Sequence, residues 1–133
     1  MKNERLLDSH ALVRYAHAEP GAERIERWFI EARQTQRPLL ASELNIGEVF
    51  YVIARKKGLP KAEEFLTFLP GLPLRLIPAS WEIILQAARF KAQHALSYAD
   101  CVAAASAVAH QAILVTGDPE FRALKHLVEI EWI

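Results

Sequence analysis

Cysteine is nearly missing from this chain: Cys101 stands alone among 133 residues. An internal disulfide and a multi-cysteine zinc site are therefore excluded, and the lone thiol reads as an ordinary small buried side chain. An excess of either charge is missing as well, because 16 Lys and Arg balance 16 Asp and Glu. Such a chain is not held on nucleic acid by its overall charge, so any contact of that kind must come from a local patch. Long apolar runs are absent; none approaches the roughly 18 residues that suggest a membrane span. The opening MKNERLLDSH also lacks the apolar stretch and small-residue cleavage site of a secretory signal. A cytoplasmic protein with no membrane attachment is expected. The 5 histidines show no paired metal-binding spacing, and neither a Gly-rich phosphate loop nor a nucleophile-elbow serine occurs.

What is present fits one soluble domain over residues 1–133, since 52% apolar and 24% charged residues suffice for a single core. Four short apolar runs bounded by turn or capping residues read as strands: RLLD (Arg5 to Asp8), PLLA (Pro38 to Ala41), LRLIP (Leu74 to Pro78) and AILVT (Ala112 to Thr116). The tail VEIEWI alternates apolar and acidic residues, as an edge strand with one wet face does. Between the strands, apolar residues recur at helical spacing: Ile25, Trp28, Phe29 and Ala32; Ala62, Phe65, Leu66 and Leu69; Trp81, Ile84, Leu85 and Ala88. These stripes are predicted to face the core. Gly58 after ARKK suits a helix C-terminal cap, and LPGLP stops the next helix. Strand and helix alternating in this order predict an α/β fold with three layers, a mostly parallel central sheet of about five strands and helices on both faces. In such folds the ligand crevice lies beyond the carboxyl ends of the strands. Asp8 ends the first strand and Asp118 follows the fourth, so both face one crevice if those strands are neighbours.

The stretch SYADCVAAASAVAHQAILVTGDPEF raises a question of charge. It carries Asp100 and Asp118, yet no Lys or Arg lies between Lys91 and Arg122. These two and Asp8 are the only aspartates in the chain. Each has a structural reading: Asp118 before Pro119 caps a helix, Asp100 three residues after Ser97 completes a capping box, and Asp8 caps a helix starting near Ser9 or His10. Glu48 is different. One helical turn from Leu44 and from Val52, it sits inside an apolar stripe, and no Lys or Arg occurs between Leu39 and Ala54. A lone buried carboxylate costs several kcal/mol unless it is paired or neutralised. Glu43, in the first turn of the same helix, reads as a charge that complements the dipole. If the four acids converge, two charges about 4 Å apart repel by roughly 4 kcal/mol at an effective dielectric near 20, so the cluster takes up protons or binds a cation. An all-oxygen donor set favours Mg²⁺ or Mn²⁺, and phosphodiester hydrolysis is the chemistry such ions serve.

The segments LLDSHALVRY, SELNIGEVFYVIAR, LSYADCVAAASA and ILVTGDPEF resemble, in order and across nearly the whole chain, the four acidic motifs of PIN-domain nucleases. Length and wording are most similar to the VapC-type toxins of bacterial and archaeal toxin–antitoxin pairs. The resemblance implies a Mg²⁺- or Mn²⁺-dependent endoribonuclease that leaves 5′-phosphate and 3′-hydroxyl ends. By position, Asp8, Glu48, Asp100 and Asp118 match the acidic metal site, Thr116 a supporting hydroxyl residue, and Ser9 the small hydroxyl residue after the first acid. Many members carry a polar or basic residue where Gly117 stands and Asn where His10 stands, which touches substrate contacts and leaves the metal cluster intact. Glu120 reads as an auxiliary acid or a plain first-turn charge. The resemblance also implies an RNA substrate, a small antitoxin lying across the acidic groove, and a homodimer. Phe50, Tyr51 and Trp132 are available for such contacts but read first as core.

Arg14 and the cluster Arg55, Lys56 and Lys57 are candidates for RNA phosphate contacts, although cations at a helix C-terminus also need no ligand. Two other readings share these residues: a housekeeping RNA-processing nuclease, and a non-catalytic module whose acids bind a structural cation. A doubly wound phosphoacceptor domain needs a paired acid near the first strand and a Lys after a later one, and neither is present.

Overall fold

Five of the short apolar stretches pair into one sheet in the computed structural model, which describes residues 4–133. Strands β1 (Arg5–Leu7), β2 (Leu39–Ser42), β3 (Leu74–Ile77), β4 (Ile113–Thr116) and β5 (Ile130–Trp132) are all parallel and run in the order β3-β2-β1-β4-β5. Their two-residue period sorts the side chains. Leu6, Leu40 and Leu114 belong to one core, while their neighbours Leu7, Ala41 and Val115 belong to the other.

The first core lies under α5 (Trp81–Gln93) and α6 (Tyr98–Ala109). Every residue of α6 from Asp100 to Ala107 is buried, and its run of alanines lets the helix lie close to the sheet. The second core lies under α1 (Ser9–Ala16), α2 (Ala22–Thr35), α3 (Glu43–Lys57) and α4 (Leu59–Phe68), with Leu12, Ile25, Phe29, Val49 and Ile53 inside it. The three-layer α/β architecture expected from the sequence is therefore present, with a fully parallel sheet. Among the described residues no helix is long and apolar enough to cross a membrane.

Local chemistry sets the boundaries. The side chains of Asp8, Ser42, Ser80 and Ser97 cap α1, α3, α5 and α6 by accepting from the backbone N–H groups of Ala11, Leu44, Ile83 and Asp100. Each such cap is typically worth about 1 kcal/mol. Gly58, at φ 94°, closes α3 and admits α4 at once, a backbone that a side chain would strain. The tail strand is an edge, and its outward Glu131 is covered by Arg5 and Arg24 at 2.9 Å each.

Three expectations need correction. Helix α5 presents Ile83, Ala87 and Phe90 to the core, one step round from the predicted Trp81, Ile84, Leu85 and Ala88; Trp81 is 71% exposed. Opposite the narrow polar stripe of Glu82, Gln86, Arg89 and Gln93 the apolar arc is wide, so spacing alone does not fix which part of it faces the core. On α4, Ala62 is buried but Leu66 is exposed, because little lies over that short helix. Tyr51 and Trp132 are exposed instead of core, while Phe50 packs partly against the second core.

The chain builds outward from β1 to β2 and β3, then returns to lay β4 on the other side of β1. This reversal opens a crevice beyond the carboxyl ends of β1 and β4. The two strands pair in register, Leu7 opposite Val115, and the backbone N–H of Asp8 donates to the Val115 carbonyl at 3.2 Å. Asp8 and the segment after Thr116 thus leave the sheet side by side.

Candidate metal centre

Helix capping and site building use the same atoms here. Asp8 is 1% exposed; its Oδ1 accepts from the Ala11 N–H at 2.7 Å, and its Oδ2 accepts from the Thr116 hydroxyl. The Thr116 oxygen in turn accepts from the Asp118 N–H at 3.0 Å. One hydroxyl therefore ties the end of β1 to the turn after β4. Asp118 also caps the short 3₁₀ turn Pro119–Leu124, where an α-helix was expected, by accepting from the Glu120 N–H at 2.9 Å.

Helix α6 brings in the third aspartate. Ser97 caps the helix and fixes Asp100 in its first turn, the capping role foreseen for this pair. Carboxylate oxygens of Asp100, Asp118 and Glu120 lie within 4.8 Å of one another. Glu120 thus stands beside both aspartates as well as in the first turn. Glu48, on α3, lines the same cleft and repels Asp100. Asn45 stands one turn before it, 0% exposed, and its side-chain amide donates to the Ala99 carbonyl at 3.2 Å and to Glu48 Oε1 at 3.4 Å. It joins α3 to the start of α6. Sequence reading overlooks this residue, although a buried amide beside Glu48 in the stripe was its one available signal.

The electrostatics agree with the geometry. Burial pushes the Asp8 carboxyl from 3.8 up to about 7 against the lowering effect of its Thr116 and Ala11 hydrogen bonds, with repulsion from Asp100 and Asp118 adding to the rise. Asp100 is also raised to about 7, by burial first and then by Asp118 and Glu48. No Lys, Arg or His within 4.0 Å pairs with any of the five acids among the described residues. A set of carboxylate oxygens without thiol or paired cation, with Asp8 and Asp100 raised by burial and by their acidic neighbours, fits a hard divalent ion.

The cleft has a volume of about 630 Å³, with Glu48, Asp100, Asp118 and Glu120 in its wall and Asp8 and Thr116 beneath them. Ser9 lines it, as does His10, whose Nδ1 has no partner and whose imidazole is held below its ordinary value by burial and by Arg14. The proposed phosphate contacts separate. Arg14 and Lys56 line the cleft, whereas Arg55 lies 5.0 Å over the Tyr51 ring and Lys57 lines a second groove on the far side of α1. Cys101 is buried, and burial raises its thiol.

The sequence matches the PIN domain over residues 5–127, and the chain belongs to that family. The same fold occurs in solved structures of low sequence identity. VapBC from Salmonella typhimurium, crystallised bound to DNA, superposes with a TM-score of 0.79 at 17% identity, covering 98% of each chain. VapBC2 from Rickettsia felis, bound to a promoter DNA fragment, gives 0.75 at 16% identity over 97% of this chain and 98% of the other. VapC20 from Mycobacterium tuberculosis, a sarcin-ricin loop cleaving toxin, gives 0.69 at 14% identity over 90% and 94%. A comparison with curated protein sequences returns no match.

Proposed function

We propose that this PIN-domain protein is a divalent-metal-dependent endoribonuclease and the toxin of a VapBC-type toxin–antitoxin pair. The observation that carries the reading is the gathering of Asp100, Asp118 and Glu120 within 4.8 Å, over a buried Asp8 and without a cationic partner among the described residues, at the carboxyl ends of β1 and β4. Asp8, Glu48, Asp100 and Asp118 are the residues that hold Mg²⁺ or Mn²⁺, with Glu120 joining them. Thr116 keeps Asp8 and Asp118 together, and Ser9 lines the approach. When bound, the ion acidifies an attacking water and offsets charge on the phosphoryl oxygens. The chain itself supplies the carboxylates, and Asp8 and Asp100, both raised to about 7, would have to be ionised to hold the ion. The products are RNA ends bearing 5′-phosphate and 3′-hydroxyl groups.

The toxin assignment draws on the VapBC structures that share the fold. The partner is a small antitoxin, for which the second groove, lined by Tyr15, Phe65, Phe68 and Leu72, offers apolar side chains. Exposed Trp81 and Tyr98 on α5 and α6 suit a homodimer contact. The protein acts in the cytoplasm, where its RNA substrate is.

Purified protein should fragment structured RNA with Mn²⁺ and stop when the ion is chelated. Asp100→Ala should unfold as cooperatively as the parent yet leave the RNA whole; undiminished cleavage by that variant refutes the assignment of the site. Mn²⁺ uptake in calorimetry without any cleavage favours the binding-module reading. Expression without growth arrest favours a housekeeping nuclease over a toxin.

A further inference from the structure

Gly117 stands between Thr116 and Asp118, and its backbone is not in the left-handed region that requires glycine. What requires it is space. A Cβ at this position would lie 2.7 Å from Arg14 Cζ, 2.8 Å from Nη2 and 2.9 Å from Nη1. The guanidinium of Arg14 therefore lies against the backbone of the turn that carries Asp118, in the volume a side chain at 117 would fill. Gly21 also flanks the group, but a Cβ there would meet Nη1 only at an ordinary contact distance of 3.7 Å. Its Nη1 donates one long hydrogen bond, to the Pro20 carbonyl at 3.4 Å.

Arg14 lines the cleft with Asp118 and Glu120, yet it pairs with neither within 4.0 Å. A cation placed only to quiet those acids would contact them. A guanidinium has five N–H donors in a planar fork that matches two oxygens of a phosphate. Here one donor is engaged, by the Pro20 carbonyl, and the fork lies beside the acidic cluster in the wall of the cleft.

We propose that Arg14, seated in the space that Gly117 leaves open, is the residue that binds a backbone phosphate of the RNA next to the bond to be cut. This rests on the endoribonuclease reading and adds that the absence of a side chain at 117 and the presence of arginine at 14 form one device. The substitution Gly117→Ala leaves every charge in place but displaces the guanidinium, because the clash is with the movable end of Arg14.

The test is a mutant cycle read by binding and by kinetics. Anisotropy of a labelled RNA is measured on proteins that also carry Asp100→Asn, so that nothing is cut, and KM and kcat are measured with Asp100 intact. Arg14→Ala should weaken RNA binding about tenfold and raise KM far more than it lowers kcat. Gly117→Ala should weaken it several-fold, and should have no further effect once Arg14 is already Ala. Arg14→Lys keeps the charge without the fork and should recover only part of the loss. Arg14→Ala binding like the parent, or the Arg14 and Gly117 effects simply multiplying, overturns the proposal while the nuclease reading survives. A parent protein that cuts no RNA with Mn²⁺ removes the nuclease reading itself. Thermal melts of each variant establish that it folds, and should Gly117→Ala not fold, the Arg14→Ala and Arg14→Lys pair decides.

Discussion

Asp8 ends β1 and begins α1, so one oxygen caps a helix while the other receives the Thr116 hydroxyl. The capping and site readings open to Asp8, Asp100 and Asp118 in the sequence are compatible, because a helix start at a strand end puts its cap in the crevice. Asp8 has a measurable signature. Its carboxyl is near 7 in the folded metal-free protein against 3.8 ordinarily. Between those values the folded state holds a proton that the unfolded chain has released, so stability is full below about pH 4 and is lost as pH rises through 7. At pH 8 the loss from Asp8 is on the order of 4 kcal/mol. Asn also caps helices well, at the expense of the Thr116 donation, which is worth about 1 kcal/mol. In chelator, therefore, the melting temperature of Asp8→Asn minus that of the parent should grow more positive from pH 4 to pH 8, and added Mn²⁺ should reverse its sign. A difference that stays flat with pH contradicts the raised carboxyl. Glu48 and Asp100 were legible because no Lys or Arg lies near them in the chain, whereas Asp8 and Asp118 stood out by their places at strand ends. Glu120 was only half legible, since a first-turn glutamate looks the same whether or not two aspartates stand over it.

At the scale of elements, α3 and α6 must be held in one alignment if Glu48 is to face Asp100. The buried amide of Asn45 does this by reaching the Ala99 carbonyl and Glu48 together. Truncation to Ala removes this donation and leaves that carbonyl only its partner within α6, a loss of about 1 kcal/mol. Urea unfolding of Asn45→Ala should show that loss with an unchanged m-value, and the folded variant should have a reduced kcat because Glu48 is no longer held. Full kcat in a destabilised protein limits Asn45 to a structural tie. Strand positions were readable because short apolar runs ended by Asp8, Ser42 or Pro78 have no other stable use. The phase of α5 was not, because Trp81, Ile83, Ile84, Leu85, Ala87 and Ala88 supply apolar residues to more than one face. Which stripe wins depends on where α6 and the sheet lie, information that spacing within one helix does not hold.

Across the whole molecule, alternating strand and helix segments imply a parallel sheet, but the order β3-β2-β1-β4-β5 depends on which way each crossover turns. The crevice between β1 and β4 could be inferred only on condition that those strands pair, as they do. The same scale governs binding to RNA. The formal net charge is zero and the acids gather in the cleft, so the grip on a polyanion falls to few groups. Arg14 and Lys56 are the Lys and Arg side chains among its described lining residues, with Lys57 turned toward the other groove and Arg55 stacked on Tyr51. Each phosphate contact on single-stranded RNA contributes a slope of about −0.7 to log K against log salt, so two contacts give about −1.4. Anisotropy titrations of Asp100→Asn at fixed Mn²⁺ should yield a slope near that value, and removal of Arg14 or Lys56 should each flatten it by about half. A slope steeper than about −3 means that four or more phosphates are neutralised. The strand would then also run along the α3 C-terminus past Arg55 and Lys57, and the two-cation cleft would be only part of the RNA path.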